Sequence, residues 1–522
     1  MHSFTKYGSI VLFIFISSFG YSQGPNLLWQ RATGGNGDDF GYAIEVDDSG
    51  YVYVAGSTGT MNDGDVSSSC YQTTTNSMQD QWFVKYDSLG NLIWSKCLSI
   101  DGRFYDMRKI NDHQFVLLGW ACNQPILCDM YIATVDTAGN VGLFDYIIGG
   151  PQSDDYGYSV TEGDSGRFYG LGISDMSAGH GGFDMYLSIT DSAGTIERVY
   201  GGSNYDEGLS VIRLHNNKYL LTGSTNSSNG DISSNHGNTD VWIVIVDSVG
   251  IMIREKTYGG TESEFGRTAI ELSNGNIIIG ATTLSNDGDV SGNHSNGGTD
   301  VWIFMIDSVG NLLWQKCYGG MSDETISSLS LLNNNIILVG ASATSTEGDV
   351  IGNHGNGGPD FWLFTIDTLG NMLSSQCYGG TGFDILNKVI NRNNKIYVTG
   401  TTNSDNNGDV SNYHFSANYI EDLWVAVLDT NLITKTDHVI NIEENFILYP
   451  NPATDKLYIN NNKKKQIESF AIKTMDVFGK TVEQFIYNQF PVIIDLENYS
   501  SGIYFISIYS KTISYHKKFI KN

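Results

Sequence analysis

Short apolar runs separated by glycine- and asparagine-rich turns recur along most of the chain. In one typical unit these runs are Thr268–Ser273 (TAIELS), Asn276–Thr282 (NIIIGAT), Asp300–Asp307 (DVWIFMID) and Asn311–Gly319 (NLLWQKCYG). The Asn-Gly pair between the first two runs is typical of a two-residue hairpin turn. Since no segment keeps the 3.6-residue period of a long helix, the pattern predicts four antiparallel strands per unit.

The whole unit repeats along the chain. An Asp-x-aromatic motif opens the third run of each copy and occurs seven times, at Asp80/Trp82, Asp129/Tyr131, Asp184/Tyr186, Asp240/Trp242, Asp300/Trp302, Asp360/Trp362 and Asp422/Trp424. A spacing of roughly 50–60 residues is typical of solenoids, propellers and arrays. Four antiparallel strands in each of seven units predict an all-β fold, a seven-bladed β-propeller over residues 23–438.

The first copy of the fourth run has no strands before it. Asn26–Gly35 (NLLWQRATGG) is nearly identical to Asn311–Gly320 (NLLWQKCYGG), so we expect it to complete the last blade and close the ring. Asn431–Thr436 (NLITKT) fits the same place. The sequence leaves open which of these two strands closes the propeller.

The N-terminus has the pattern of a secretory signal peptide. Lys6 precedes an apolar run at Ile10–Ile16, and Gly20 and Ser22 occupy the small-residue positions before Gln23. This pattern predicts a signal peptide over residues 1–22 and export of the rest. The apolar run is shorter than the roughly 20 residues of a membrane-spanning helix, so we expect a protein that does not span a membrane.

Charge and cysteine content narrow the class of partner. The chain of 522 residues has a net charge of −28, which argues against nucleic acid because a phosphate backbone needs a basic surface. In an exported chain Cys122 and Cys128, which flank one short loop, are a candidate disulfide. Cys97, Cys317 and Cys377 share one repeat position, where the pattern indicates packing.

The composition changes after the repeats. From Ile447 onward the chain holds ten lysines against six acidic residues, and so abrupt a change of charge marks a domain boundary. Alternating runs such as Lys456–Ile459 (KLYI) and Gly502–Ser510 (GIYFISIYS) predict a small β-sandwich over residues 447–522. A linker at residues 439–446 joins it to the repeats.

Four blocks of this tail resemble the C-terminal sorting domain of the type IX secretion system of Bacteroidetes: Leu448–Ile459 (LYPNPATDKLYI), Asp476–Val482 (DVFGKTV), Leu496–Ile508 (LENYSSGIYFISI) and Lys517–Lys521 (KKFIK). The resemblance implies passage through the type IX translocon and handling by its sorting machinery, followed by release or attachment at the outer cell surface. The family's motif falls on Pro450, Asn451, Pro452, Gly479, Lys480, Gly502, Tyr504, Lys517 and Lys518. The repeats also resemble those of other Bacteroidetes surface proteins, a likeness that implies no activity.

Loops with a Gly-Asp pair join the second and third runs of several units, as in Ser285–Ile303 (SNDGDVSGNHSNGGTDVWI). Their alternating oxygen-bearing residues resemble the start of a calcium loop, with Asp63, Asp65, Asp287, Asp289 and Asp349 as candidate ligands. The twelfth position, where such a loop needs a bidentate acid, is a glycine. A β-turn in which the aspartate bonds nearby backbone explains the same pattern, so calcium and a structural turn both stay open.

Acidic and histidine residues recur at fixed positions near these loops. The connections between blades emerge on the same face as the Gly-Asp loops, so we expect one rim to gather Asp38, Asp39, Asp154, Asp155, Asp206, Glu207, Glu262, Glu264, Asp323 and Glu324. A histidine recurs at one position of five units, namely His180, His236, His294, His354 and His414. Copies in separate blades lie too far apart to share one metal, so we expect turn residues.

The sequence contains no nucleophile elbow, zinc-protease motif or phosphate-binding glycine loop. The leading hypothesis is therefore an exported, non-enzymatic binding or scaffold protein of the cell surface or the medium. Glycans or another surface protein are its expected partners, and calcium is the one cofactor considered. An alternative is a polysaccharide-degrading hydrolase or lyase with its site in the propeller channel. A purely structural surface-layer component is the third hypothesis.

Overall fold

The computed structural model describes residues 24–67, 70, 79–122, 127–150, 153–175, 181–294, 297–355, 358–414, 420–430, 446–461, 470–476, 481–487, 489–510 and 513–522. The chain divides into two compact units, Met1–Ile433 and Thr434–Asn522. Apart from one short 3-10 turn at Asp164–Gly166, the regular structure of these ranges is β-strand. Within them no helix is long and apolar enough to cross a membrane.

Strands that follow one another in the first unit pair antiparallel, so each sheet is a meander. One seven-stranded sheet holds β2 (Asp39–Val46), β3 (Val52–Thr58), β4 (Asp80–Tyr86), β5 (Leu92–Asn111), β6 (Gln114–Cys122), β7 (Cys128–Asp136) and β8 (Val141–Ile148). The long strand β5 pairs with β4 through its first half and with β6 through its second half. This sheet therefore contains two ladders of four strands.

The other sheets of the first unit have four strands each. Three of them hold β9 (Asp155–Glu162), β10 (Phe168–Ser174), β11 (Asp184–Asp191) and β12 (Gly194–Tyr200); β13 (Asp206–Arg213), β14 (Tyr219–Thr225), β15 (Asp240–Val246) and β16 (Met252–Tyr258); and β17 (Glu264–Glu271), β18 (Ile277–Thr283), β19 (Asp300–Ile306) and β20 (Leu312–Tyr318). Two more hold β21 (Glu324–Asn333), β22 (Ile336–Ala343), β23 (Asp360–Asp367) and β24 (Met372–Tyr378); and β25 (Asp384–Arg392), β26 (Lys395–Thr402), β27 (Asp422–Asp429) and the N-terminal β1 (Leu27–Thr33). The four-strand unit predicted from the sequence is confirmed.

An aspartate builds the turn between the third and fourth strands. Asp307 Oδ1 accepts hydrogen bonds from the backbone N–H of Val309 at 2.9 Å and of Asn311 at 2.8 Å. Gly310 in the same turn has a φ of +87°, which glycine adopts without a steric penalty. The repeated string Asp-(Ser or Thr)-x-Gly therefore specifies a hairpin, and the bond pattern recurs at Asp87, Asp136, Asp247 and Asp367.

Each ladder packs on the next through a layer of buried apolar side chains. Trp242 of β15 lies in one cluster with Leu171 and Leu187 of the preceding sheet. The last layer joins the end of the series to its beginning, because Val425 of β27 shares a cluster with Trp82 of β4. The ladders therefore form a closed ring, and the first unit is a β-propeller. A ring of seven blades stays the prediction of the sequence.

The N-terminal strand completes the last sheet. β1 pairs antiparallel with β27, with Gln30 opposite Ala426 and Ala32 opposite Trp424. The indole N–H of Trp424 also donates to Gln30 Oε1 at 2.8 Å. The prediction that this segment pairs with the last blade is confirmed, and the rival segment at residues 431–436 lies outside the described residues.

The second unit contains two antiparallel sheets. Their strands are β28 (Phe446–Tyr449), β29 (Lys456–Asn461) and β32 (Val492–Asp495) in one, and β31 (Thr481–Tyr487), β30 (Phe470–Met475), β33 (Gly502–Ser510) and β34 (Ile513–Lys521) in the other. Leu457 and Ile494 of the first sheet and Ile506 and Phe519 of the second share one buried cluster. The two sheets are therefore packed on a common core.

Candidate functional site

The first strand of each ladder lines a central cavity of about 1020 Å³. The walls come from β2, the second half of β5, β9, β13, β17, β21 and β25. Each of these strands carries a β-bulge after its third residue in the repeat, where the register against the neighbouring strand shifts. A bulge adds one unpaired residue and turns its side chain away from the regular alternation.

The bulge residues form a ring of side chains around the cavity. All of them line it, in the order Tyr42, Tyr105, Tyr158, Leu209, Arg267, Ser327 and Asn387. The buried layers between ladders keep nearly the same residues in every copy, but this ring changes from aromatic to polar around the axis. At this position, therefore, the chemical character of the side chain differs from one copy of the repeat to the next.

One arc of the ring is an aromatic wall. The ring centroids of Tyr42 and Tyr105 are 4.7 Å apart, those of Tyr105 and Tyr158 are 5.2 Å apart, and Phe40 stacks on Tyr42 at 5.8 Å. The Arg103 guanidinium lies 5.6 Å from the Phe40 ring centre and donates to the Tyr42 hydroxyl at 3.3 Å. Burial raises the pKa of Tyr42 and Tyr158, so both hydroxyls stay neutral at neutral pH.

The other arc is polar and carries hydrogen-bonding groups. Arg267 is exposed to the cavity, and Thr325 and Ser327 of β21 lie beside it on the wall. Asn387 donates to the Gly41 carbonyl at 2.9 Å and thereby joins β25 to β2. An aromatic wall facing hydroxyl, amide and guanidinium groups is the lining expected of a small-molecule or saccharide pocket.

A charged cluster stiffens the cavity wall. Asp106 is buried and accepts from Lys388 Nζ at 3.0 Å, from Arg108 Nη2 at 3.3 Å and from the Val160 N–H at 3.0 Å. Burial acts to raise the pKa of Asp106, but Arg108 and Lys388 hold it below its ordinary value. The ionised carboxylate joins β5, β9 and β25 and is already fully engaged by protein groups.

A second aromatic series, the rim row, lies on the loops and strand ends beside the cavity mouth. It consists of Trp120, Tyr156, Phe183 and Tyr205. Successive ring centroids are 5.7, 6.3 and 6.1 Å apart. All four side chains keep partial exposure, which reaches 40% at Tyr205. The row is therefore an accessible aromatic surface.

The Gly-Asp loops are tied to the neighbouring connection between ladders. The Asp289 N–H donates to the Gly259 carbonyl at 2.9 Å, and the Gly259 N–H donates back to Asp289 Oδ2 at 3.4 Å. Asp349 makes the same pair of bonds with Gly319, at 3.0 and 3.4 Å. Asp287 accepts from the Thr261 N–H at 2.8 Å.

The first Gly-Asp loop, between β3 and β4, differs from the others because an arginine forms an ion pair with its aspartate. Asp65 forms an ion pair with Arg31 at 3.0 Å, and its N–H donates to the Gly34 carbonyl at 2.8 Å. Asp63 is exposed in the same loop. The five candidate ligands thus lie in three separate loops, and within the described ranges no group of three or more His, Cys, Asp or Glu is placed to hold a metal ion. Calcium binding stays a prediction of the sequence.

The recurrent histidines bind a buried aspartate of their own ladder. His294 donates through its backbone N–H to Asp300 Oδ2 at 2.9 Å, and its ring Nδ1 lies 2.7 Å from the same oxygen. The arrangement recurs at His236, His354 and His414, with Asp240, Asp360 and Asp422, and His180 lies outside the described residues. Asp300 holds the pKa of His294 above its ordinary value. These histidines therefore orient the start of the third strand.

Half of the acidic residues expected on the rim are buried, and for these the expectation was wrong. They are the first residues of the inner strands, namely Asp39, Asp155, Asp206, Glu264 and Glu324. Their carboxylates bond loop groups from within; Glu324, for example, accepts from the N–H of Gly320 at 2.7 Å and of Ser345 at 3.0 Å. Asp38, Asp154, Glu207, Glu262 and Asp323 keep exposure, so the rim is still acidic.

Comparison with known proteins bears on the tail. Residues 447–522 match the secretion system C-terminal sorting domain. The tail is a type IX sorting domain. It indicates that the protein is secreted and attached at the cell surface, and the β-propeller is the cargo that it accompanies.

The sorting-domain residues expected from the motif lie at several places in the second unit. Asn451 Oδ1 accepts from the Ile520 N–H at 2.9 Å, and Asn451 Nδ2 donates to the Lys518 carbonyl at 3.2 Å. Tyr504 stacks on Phe519 with 5.5 Å between ring centroids. The side chains of Pro450, Pro452 and Lys517 are exposed. Gly502 is the first residue of β33. Gly479 and Lys480 lie outside the described residues.

Relatives of the propeller are distant. The chain is 22% identical over 249 residues to the regulatory protein FlaEY of Caulobacter vibrioides, a match that covers 43% of this chain and 26% of that protein. The chain thus spans about a quarter of the length of this curated relative.

Similar solved structures include YCF48 bound to D1 peptide, with a TM-score of 0.42, 10% identity and coverage of 79% of this chain and 98% of that chain. The β-propeller domain of the trilobed protease from Pyrococcus furiosus has a TM-score of 0.41, 8% identity and coverage of 76% and 94%. For puromycin hydrolase the values are 0.42, 10%, 73% and 53%, so the chain spans about half of that enzyme. Similarity at this level says nothing about activity.

The structure contains two disulfides within the described ranges. Cys122 and Cys128 are bonded, with six residues of sequence separation. Cys97 is bonded to Cys70 across 27 residues, so the expectation that Cys97 only packs was wrong. Cys317 and Cys377 at the same repeat position are free and buried. The difference arises because only the loop between β3 and β4 contains a cysteine, Cys70, that can reach this position.

Sequence reasoning missed the cavity ring and the rim row. The signal was present, since the bulge residue stands three places after the acidic residue that opens most inner strands, as Tyr42 does after Asp39 and Tyr158 after Asp155. Variation at one position of an otherwise constant repeat marks the place where a site is built. Tyr105 is the exception, because no acidic residue opens the second half of β5.

Proposed function

We propose that this surface-attached β-propeller is a carbohydrate-binding protein, with its site in the central cavity and no bond-breaking chemistry of its own. The observation that carries the proposal is the ring of bulge residues. It presents three adjacent tyrosines on one arc and Arg267, Ser327 and Asn387 on the other. Binding at the cell surface is the role that fits a cargo delivered by a sorting domain.

Sugar rings have an apolar face and a hydroxyl-bearing edge. The flat sides of Tyr42, Tyr105 and Tyr158 supply apolar surface with little loss of side-chain entropy, because each has only two side-chain torsions. The opposite arc supplies donors and acceptors for hydroxyl groups, as pockets for polar ligands require. Since Asp106 is held between two cations, the cavity wall is preorganised before a ligand arrives, which lowers the cost of binding.

The test is a glycan array probed with the purified full-length protein, followed by titration of the best saccharide. Tyr105→Ala and Tyr158→Ala should each weaken binding by about tenfold or more, since one buried stacking contact is worth about 1–3 kcal/mol. Tyr51→Ala is the matched control, because Tyr51 is an exposed tyrosine outside the cavity wall. Saccharide binding that is unchanged by both cavity substitutions would place the site elsewhere. Absence of binding to every glycan on the array would refute the proposal.

A further inference from the structure

The rim row meets the cavity wall at the mouth. The Tyr205 hydroxyl lies 3.5 Å from Glu207 Oε2, and Glu207 lines the cavity. Tyr158 belongs to the cavity wall, and its pKa is raised by burial and then by the nearby Tyr105, Tyr205 and Glu207. These neighbours place the inner end of the rim row against the outer end of the wall. The two aromatic series therefore lie next to each other, with Glu207 between Tyr205 and the cavity wall.

The combined aromatic surface is longer than one sugar can cover. Inside the mouth, Tyr42, Tyr105 and Tyr158 succeed one another at centroid distances of 4.7 and 5.2 Å, and Phe40 stacks on Tyr42 at 5.8 Å. Outside it, the rim row continues for three more steps of 5.7, 6.3 and 6.1 Å, from Trp120 to Tyr205. A single sugar stacks on one or two aromatic rings at a time. A series of this length therefore suits consecutive units of a chain.

The charge around the mouth decides which kind of chain fits. Asp38, Glu262, Asp323 and Asp175 are exposed near the loops that surround the mouth, and Asp154 is partly exposed beside Tyr156. Among the arginines beside this surface, Arg103 is engaged by Phe40 and Tyr42, and Arg267 lies close enough to the Glu207 carboxylate to interact with its charge. A negative rim on a chain of net charge −28 repels anionic polymers over about one Debye length, about 8 Å at physiological salt.

We infer that the ligand is an uncharged polysaccharide, one part of which lies in the cavity against the tyrosine wall while the following units run outward over the rim row. The inference rests on the proposed function and specifies its substrate class. Uronate-bearing and sulfated polymers are excluded by the acidic rim, and free monosaccharides use only the cavity part of the surface. Affinity is therefore expected to increase with chain length until the rim row is filled.

The test uses the full-length protein and a length series, from monosaccharide to hexasaccharide, of the neutral polymer that binds best among laminarin, mannan, amylose and xylan. Tyr205→Ala and Phe183→Ala should weaken hexasaccharide binding by about tenfold and leave mono- and disaccharide binding unchanged. Tyr105→Ala should weaken binding at every length. Tyr205 is 40% exposed on a loop, so its removal leaves the fold intact even if Phe183→Ala does not.

A second arm tests charge. The same neutral polymer, oxidised at its primary hydroxyls to uronates, should bind at least about tenfold more weakly at low salt, and the difference should shrink as salt is added. An affinity independent of length, or equal affinity for the oxidised polymer, overturns the inference and leaves the carbohydrate function standing. Absence of binding to any saccharide overturns both.

Discussion

Two carboxyl groups meet at each of several junctions between ladders. At Gly319 an added Cβ would lie 2.4 Å from Glu324 Oε2 and 2.7 Å from Asp300 Oδ1, so both oxygens crowd the same glycine. Within the described residues Asp300 Oδ1 is buried without a hydrogen-bond partner. Burial and, to a smaller extent, Asp300 raise the pKa of Glu324 to about 7. Protonation of Glu324 removes its repulsion with Asp300.

The raised pKa makes stability depend on pH. The folded protein binds this proton more tightly than the unfolded chain, in which a glutamate has its ordinary pKa of 4.5. The stabilisation is therefore complete below about pH 4.5 and is lost as the pH rises through about 7. Asp39 at another junction behaves in the same way, because burial raises its pKa to about 7.

Asp300→Asn should stabilise the protein at pH 8 by about 1–3 kcal/mol. At pH 5 it should instead destabilise the protein, because it removes the carboxylate that favours protonated His294. The amide can donate to Glu324 where the carboxylate could not, and it keeps an oxygen for His294. Thermal unfolding at the two pH values measures the difference, with the exposed Asp405→Asn as control. A shift of equal size and sign at both pH values would contradict the raised pKa of Glu324.

At the scale of elements, the strands were predictable and the bulges were not. Asp300–Asp307 is recognisable as a strand because its apolar residues and the turn aspartate at its end agree. The bulge that turns Tyr42 into the cavity is a shift of register between two strands, which no local preference of the residue records. The Cys70–Cys97 bond was missed for a similar reason, because it depends on where a long loop folds back.

The two disulfides should differ in their contribution to stability. The Cys70–Cys97 bond closes a segment of 27 residues, and the Cys122–Cys128 bond closes one of six. The chain-entropy relation gives about 3–4 kcal/mol for the first and about 2 kcal/mol for the second. Urea unfolding of the Cys70→Ala/Cys97→Ala and Cys122→Ala/Cys128→Ala double variants measures both. A larger loss from the shorter loop would show that native packing, rather than chain entropy, dominates.

At the scale of the whole molecule, folding and delivery belong to separate units. The propeller and the sorting domain form distinct compact units with their own buried clusters. Deleting residues 447–522 should therefore leave a folded, β-rich propeller that is not displayed at the surface and accumulates in the periplasm. Fractionation of cells and circular dichroism of the retained protein measure the two effects. Undiminished surface display would show that the propeller carries its own export signal.

Closure of the ring is the step on which the propeller as a whole depends. β1 supplies the outer strand of the last sheet, and without it β27 keeps a row of unpaired backbone groups, an edge prone to aggregation. Ala32 is fully buried opposite Trp424, and Arg31 pairs with Asp65 at 3.0 Å. The strand therefore holds both the last sheet and the first Gly-Asp loop.

Removing residues 23–32 should lower the melting temperature sharply and promote aggregation, whereas Trp29→Ala should cost only about 1–2 kcal/mol. The sequence alone suggested the larger loss of a buried tryptophan, roughly 3–5 kcal/mol. Trp29 is only partly buried, with its indole N–H donating to the Ser88 carbonyl at 3.2 Å, so less apolar area is lost. Scanning calorimetry of both variants and of the intact protein measures these differences in melting temperature. If the truncated chain melts like the intact one, another segment closes the ring and β1 is dispensable.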